Sequence, residues 1–584
     1  MIATDRRYIH ISTVKGLADD LLEGLDALAS NGGMAGYGPS SLSPCDPVTL
    51  ASLDETLALA LSQVRMMRNT RSPINALPPE VLTTIFEMLA GPRALPSTDS
   101  RDNSSTTGNP MEWIPVTHVC RYWRNTALGY PFMWNPIVFK PSDMRSECNL
   151  PYECLRRSVG APLDVQVKCD PGGTRTHVWE KLSARCGRIR KCHLMDLTDL
   201  ENLSYFNQEA PLLESLCIQI SPDVVDEREL TGDFTMPSEL PLLFAGHTPS
   251  LRFLTLNYFH TFSTNQFVGL THLHLSDIYT PSGDVAHIIA LLELNPGLEE
   301  FTLTSGDISD LEVDSLPISP VGEDTLIPMP MLRRLSLVHC HASIIQQLVS
   351  RLVLSNPHLA MKCHTWWPSE WSIATIVPPK TAARIHPLQD VVKLQIAYDT
   401  AEVYTVSRSS AAHFRFENDI DTADDIVPSL RTLLSFHGLQ ELWLSGIELH
   451  SADFWQNVFG AIVGVKKMVL GLSPTAPENW LLALTPTELH GKPYPAPSLE
   501  ELHIYPPYPQ CHEALVNLVE SRANDGHRLW LLKIMCKRDA YDSRLLGAYD
   551  AVKSSMAEFV DHIVLDTFSC PPIVGIPEEC RSFV

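Results

Sequence analysis

Aliphatic residues at the first, fourth and sixth positions of a six-residue stretch recur along most of the chain. The stretches are IRKCHL (189–194), LESLCI (213–218), LRFLTL (251–256), LTHLHL (270–275), LEEFTL (298–303) and LRRLSL (332–337). Further on come VVKLQI (391–396), LQELWL (439–444), VKKMVL (465–470), LEELHI (499–504), LWLLKI (529–534) and VDHIVL (560–565). Several starts lie 24 to 34 residues apart, room for one strand and one returning helix per turn. The intervening segments 284–296, 342–357 and 511–523 carry helical periodicity. A strand with this pattern cannot cover its own aliphatics, whereas strands stacked side by side with helices outside bury them in one core. Each fully buried Leu, Ile or Val then contributes about 1.5–3 kcal/mol. The pattern predicts an α/β solenoid over residues 141–584.

The first 140 residues follow a different period. Leucines predict a short helix over 17–29, a Gly/Ser/Pro-rich stretch (31–47) breaks it, and a second helix is expected over 49–68. Leu50, Leu53, Leu57, Leu61 and Val64 line one side of that second helix, either laid against the next domain or pairing with another copy. In SPINALPPEVLTTIFEMLAG (72–91), Pro78 and Pro79 suit a first helical turn, where a missing N–H costs nothing. Leu82, Ile85, Phe86 and Leu89 fall at i, i+3, i+4 and i+7, and Gly91–Pro92 ends the helix. A polar, proline-bearing insert (92–110) follows, then a second stripe of Val116, Val119, Cys120, Trp123 and Ala127, stopped by Pro131. Trp134 and Ile137 add apolar weight beyond it. The expected division is 1–70, an N-terminal helical segment with a linker; 71–140, a small helical module; and 141–584, the solenoid.

Length and charge narrow the function. A chain of 584 residues exceeds one core. Its 44 Lys+Arg against 68 Asp+Glu leave a net charge of −24, which disfavours nucleic acid and anionic membrane surfaces as partners. No apolar run reaches 18 residues: the nearest, 458–472, is broken by Lys466 and Lys467, and the opening residues lack a secretory pattern. The 14 cysteines are scattered singly, as expected of a reducing cytoplasmic or nuclear compartment. Cys363–His364 with His358, and Cys186 with Cys192, do not have zinc-ligand spacing. No phosphate loop, nucleophile elbow or metalloprotease motif occurs, so no catalytic residue, cofactor or metal is assigned. The cluster HTWWPSEW (364–371) falls where the repeat lapses. Its Trp366, Trp367 and Trp371 form either a substrate-binding loop or packing over the solenoid edge.

Taken together, INALPPEVLTTIFEML (74–89), WIPVTHVCRYWRNTALGYPFMW (113–134) and the repeat series resemble the large fungal set of F-box proteins with irregular leucine-rich repeats. The resemblance implies a three-helix F-box docking a Skp-type adaptor, a cullin-based ubiquitin ligase beyond it, and a leucine-rich-repeat-like domain holding a protein substrate. On that resemblance Leu77, Pro78, Leu82, Ile85 and Phe86 contact the adaptor from the first helix, and Val119, Trp123 and Trp134 from the second segment. Phe86→Asp is then expected to abolish adaptor binding. The chain departs from the family in its 92–110 insert and in mostly lacking the Asn or Cys that closes each regular repeat, Cys340 being one that fits. The rival reading is a leucine-rich scaffold without ubiquitin chemistry, in which 72–137 only caps the repeat stack.

Overall fold

The computed structural model describes residues 11–31, 47–89, 112–140, 150–169, 176–221, 240–259, 265–277, 285–304, 326–366, 373–417, 426–446 except 435, 450–472, 478–486, 493–537 except 506, 507 and 509, 553–568 and 573–581. The 92–110 insert lies outside them. The chain divides into two compact units, one of residues 1–84 with 115–125, the other of residues 85–114 with 126–584.

The larger unit is mixed α/β, built on a mostly parallel seventeen-stranded sheet. Its strands begin with β1 (Pro136–Phe139), β2 (Leu163–Lys168), β3 (Ile189–Leu197), β4 (Ser215–Ile220), β5 (Phe253–Asn257), β6 (His272–Ser276) and β7 (Glu300–Thr304). A two-residue ladder, β8 (Ile327–Pro328) with β10 (Leu352–Val353), stands apart. The sheet continues through β9 (Arg334–His341), β11 (Ala360–Trp366), β12 (Lys393–Ala397), β13 (Glu402–Val406) and β14 (Ala411–Glu417). It finishes with β15 (Glu441–Ser445), β16 (Lys467–Gly471), β17 (Glu501–Tyr505), β18 (Leu529–Lys537) and β19 (Val560–Phe568). All twelve aliphatic stretches lie on strands, β3 to β7, β9, β12 and β15 to β19.

Pairing is parallel from β1 through β7 to β9 and β11, and again from β12 and β15 to β19, with register shifts in the β2–β3, β3–β4 and β9–β11 ladders. Leu216, Leu254, Leu273, Phe301, Leu335 and Met361 form one continuous row, all of them buried. The interruption is a hairpin that the sequence pattern did not predict. β13 pairs antiparallel with both β12 and β14, and β14 pairs parallel with β11. EVYTV and AAHFRFE lack the one-four-six spacing, because strands of a meander take their register from turns rather than from a crossover helix. β1 pairs with β2, so residues 136–139 belong to the sheet and not to the helical module expected over 71–140.

The helices Ala286–Glu293, Ala342–Arg351 and Cys511–Asn524 lie where periodicity placed them. The second stops at Arg351, short of the expected 357, because Leu352 and Val353 pair with Ile327 and Pro328. Two asparagines take up the turn-closing work that the sequence did not reveal. Buried Asn265 accepts from the Leu243 N–H (2.9 Å) and donates to the Pro241 carbonyl (2.8 Å). Buried Asn295 accepts from the Leu270 N–H and donates to the Phe267 and Leu291 carbonyls, each at 2.8 Å. Each amide satisfies backbone groups of the preceding turn, which would otherwise be buried without partners. Cys340 is buried too, its thiol 3.6 Å from the Leu303 carbonyl.

Replacing Asn295 by Ala strands one N–H and two carbonyls and is expected to cost about 2–3 kcal/mol of stability. Urea unfolding of the two proteins measures it; a loss below about 0.5 kcal/mol would show that this amide does not hold the turn.

Candidate interaction surfaces

α1 (Ile11–Asn31) and α2 (Pro47–Thr70), both in the smaller unit, precede α3 (Pro79–Leu89), and α4 (Arg121–Gly129) follows the insert; the division between the units passes through α3 and α4. Along α2, Leu61 and Val64 are exposed. Pro79 opens α3, and the Pro78 carbonyl accepts the first bonds from the Val81 and Leu82 N–H groups at 3.1 and 3.2 Å. Two aromatic side chains of α4 hold the approach to α3. The Tyr122 hydroxyl donates to the Leu77 carbonyl (2.9 Å), and the Trp123 indole donates to Asn75 Oδ1 (2.6 Å). Asn75 in turn donates to the Asn69 carbonyl (2.7 Å), so the Asn-Ala-Leu-Pro entry is fixed from both sides.

This geometry separates the eight residues that the sequence grouped as adaptor contacts. Pro78 and Val119 are exposed, while Leu77, Ile85 and Trp123 are half-buried. Leu82 and Phe86 are 0% exposed and Trp134 5%. Trp134 belongs to the core of the larger unit, edge-on to Trp113 (centroids 5.0 Å apart) with the Arg157 guanidinium 4.6 Å from its ring centre. Buried atoms offer nothing to a partner, so Phe86→Asp reports on folding rather than docking. The exposed apolar residues of α3 are Val81, Met88 and Leu89, with Ile74 just before the helix. Val81, Ile85 and Met88 make a second stripe at i, i+4 and i+7, legible in the sequence but passed over for the stronger one.

The second surface is the sheet face turned away from the one-four-six aliphatics. From β5 to β9 its central row is polar: Thr255, His274, Thr302 and Ser336. Of Arg252, His272, Glu299, Arg333, Gln440 and Glu500, the variable positions between the aliphatics that analogy with leucine-rich repeats offers as the lining, His272 lies on this face in β6 and the other five fall just before a strand; the third and fifth positions of each stretch line the face. A row of alternating charge, Lys393, Glu441, Lys467 and Glu501, crosses β12, β15, β16 and β17, with Lys393 Nζ 3.1 Å from Glu441 Oε1. Opposite charges facing across strands favour this register over a slipped one.

The same face turns apolar in the second half. Ala360, Tyr404, Val406, Ala411, Trp443, Val469, Tyr505 and Met535 form one buried cluster. Gly471 makes room for Tyr505, since a β-carbon there would lie 2.9 Å from the Tyr505 hydroxyl oxygen. The remainder of the cluster comes from the last described segment. Val574 is 2% and Cys580 0% exposed, and Ile576 packs against the rest. The Val574 N–H donates to Gln395 Oε1 (2.8 Å), and the Cys580 thiol lies 3.8 Å from the Ser409 carbonyl.

Beside the cluster sits a buried histidine pair. His364 Nε2 and His413 Nδ1 are 3.4 Å apart, and His413 stacks on Tyr404 with centroids 4.1 Å apart. Burial holds both imidazoles well below the usual range, at about 3, with the neighbouring His413, Lys362 and Arg415 lowering His364 further. His503 and His193 are depressed to about 4, again chiefly by burial. Of the tryptophan cluster, Trp366 ends β11, and Trp367 and Trp371 lie outside the described residues. Among the described residues no group of three or more His, Cys, Asp and Glu is arranged to hold a metal, and no helix is long and apolar enough to cross a membrane. No family model matches the chain, and no curated protein does.

The buried histidines set a pH dependence. Their folded pKa values lie below the unfolded value of about 6.5, so the unfolded chain binds more protons between those limits. Stability is therefore fully present above pH 6.5 and falls as the pH drops toward 4. Each such histidine contributes a slope of up to about 1.4 kcal/mol per pH unit in that window. Urea midpoints measured between pH 7.5 and 4.5 should fall, and His364→Gln/His413→Gln should flatten the curve; a flat wild-type curve would contradict the assignment.

Proposed function

We propose that the chain is a substrate-recognition subunit of a Skp–cullin–F-box type ubiquitin ligase. In this reading the helical module docks a Skp-type adaptor, and the open face of a leucine-rich-repeat-like solenoid holds the substrate. The chain performs no bond chemistry; it raises the concentration of a bound protein near a charged ubiquitin carrier. One observation carries the proposal: around a Leu-Pro-Pro helix entry held by Tyr122 and Trp123, the apolar side chains Ile74, Val81 and Val119 stand exposed. Val81 is 44% and Val119 57% exposed, an arrangement that offers apolar surface to a partner.

A second reading keeps a specific observation of its own. β1 edges the sheet beside β2, and Trp113 and Trp134 pack near it in the same unit, the place and work of an end cap. A leucine-rich scaffold without a ubiquitination role would need no more than this from the segment.

Co-purification of the full chain with a Skp-type adaptor decides between them. The wild type should retain the adaptor, and Val81→Asp/Val119→Asp should lose it by about a hundredfold in affinity, two apolar side chains being worth about 3 kcal/mol or more at an interface. Both sites are exposed, so the variant should melt as the wild type does. No capture by the wild type would leave the scaffold reading in place.

A further inference from the structure

The sheet carries two kinds of surface on the face away from its core. Over β5 to β7 it is half-buried and, apart from Phe253, polar, as a solvated strand face requires. Over β11 to β18 it presents Tyr404, Val406, Trp443, Val469, Tyr505 and Met535, which no solvated face would keep. Residues 573–581 lie against that half: Val574, Ile576 and Cys580 join the apolar cluster, and the segment meets Gln395 and Ser409 at sequence separations of 179 and 171.

In this segment, IVGIPEECR, Val574, Ile576 and Cys580 supply apolar contacts, and the Val574 N–H is anchored on a side chain rather than on a strand. It adds no strand to the sheet, and its one helix is the single turn Glu578–Arg581. Lys393 Nζ lies 3.6 Å from where a Gly575 β-carbon would stand, which puts the segment's backbone beside the charged row. An element held this way opens at lower free energy than the ladder beneath it.

We propose that the face over β11 to β18 is a groove for an extended segment with aliphatic residues two apart followed by proline, and that residues 573–581 are its tethered occupant, displaced when a partner protein offers a segment of the same chemistry. Gln395 is the backbone anchor. Trp443, Val469, Tyr505 and Met535 form the apolar floor, and Lys393 sits at the rim. The tether holds the occupant at an effective concentration in the millimolar range, so only a partner that binds well, or is itself presented in multiple copies, takes its place. The inference rests on the reading of this face as the recognition surface, and it does not depend on whether the helical module meets an adaptor.

A fluorescein-labelled peptide of residues 573–581, kept reduced, is titrated into the full-length wild type and into full-length Val574→Asp/Ile576→Asp. The variant, its own segment loosened, should bind the peptide at least about tenfold more tightly than the wild type. A peptide carrying the same two aspartates should not bind. Equal weak binding by both proteins overturns the proposal. Loss of the variant's cooperative melt also overturns it, because the segment would then be an inseparable part of the core. Hydrogen exchange on the wild type gives an independent reading: the Val574 amide should exchange about a hundredfold faster than those of Leu470 and Ile504, and equal rates contradict a displaceable segment. Adaptor capture measured on the same samples separates the two proposals, since its loss with peptide binding intact sinks only the ligase reading.

Discussion

The structure depends on one register held across the parallel strands β4 to β7, β9 and the first part of β11. Ile218, Leu256, Leu275, Leu303, Leu337 and Cys363 face one another in order, strand after strand, and all are buried. A slip of one residue at any strand would turn its aliphatics to the other face and its polar residues into the core. Cross-strand pairs oppose that slip, among them Arg190 with Asp164 and Arg334 with Glu300, at 2.7 and 3.3 Å. With the core supplied by one face, the other is free to vary. It varies from Thr, His and Ser in the first half to Trp, Tyr, Val and Met in the second.

That division explains what the sequence could reveal. The aliphatic spacing is imposed by the core and repeats because the core repeats, so twelve strands could be read directly. β1, β13 and β14 could not, because an edge strand and a meander answer to local turns and to their own neighbours, and β2 and β11 do not carry the one-four-six spacing. Asn265 and Asn295 were hidden for a related reason: each serves the backbone of the turn before its own, away from the position at which the regular repeat places its asparagine. Nothing in IVGIPEECR announces where it lies, since its partners are more than 170 residues away.

The helical module carries a parallel lesson. The strongest periodic stripe in a helix marks the side that folding buries, and Leu82 and Phe86 are indeed wholly covered. Apolar residues that remain outside, here Val81 and Val119, give a weaker signal because folding does not require them. The buried pair His364 and His413 shows the same economy on the sheet. It lies next to an apolar cluster, and burial keeps it neutral.

The second half of the open face is apolar, and the account holds that residues 573–581 lie over it. Hydroxyl-radical footprinting of the intact chain, read at Trp443, Tyr505 and Met535, tests it against Trp530, which is 50% exposed. The account predicts slow modification at the first three and rapid modification at Trp530. Modification of Trp443 and Met535 as fast as Trp530 would mean that the face lies bare, and that neither the cover nor the groove beneath it exists in solution.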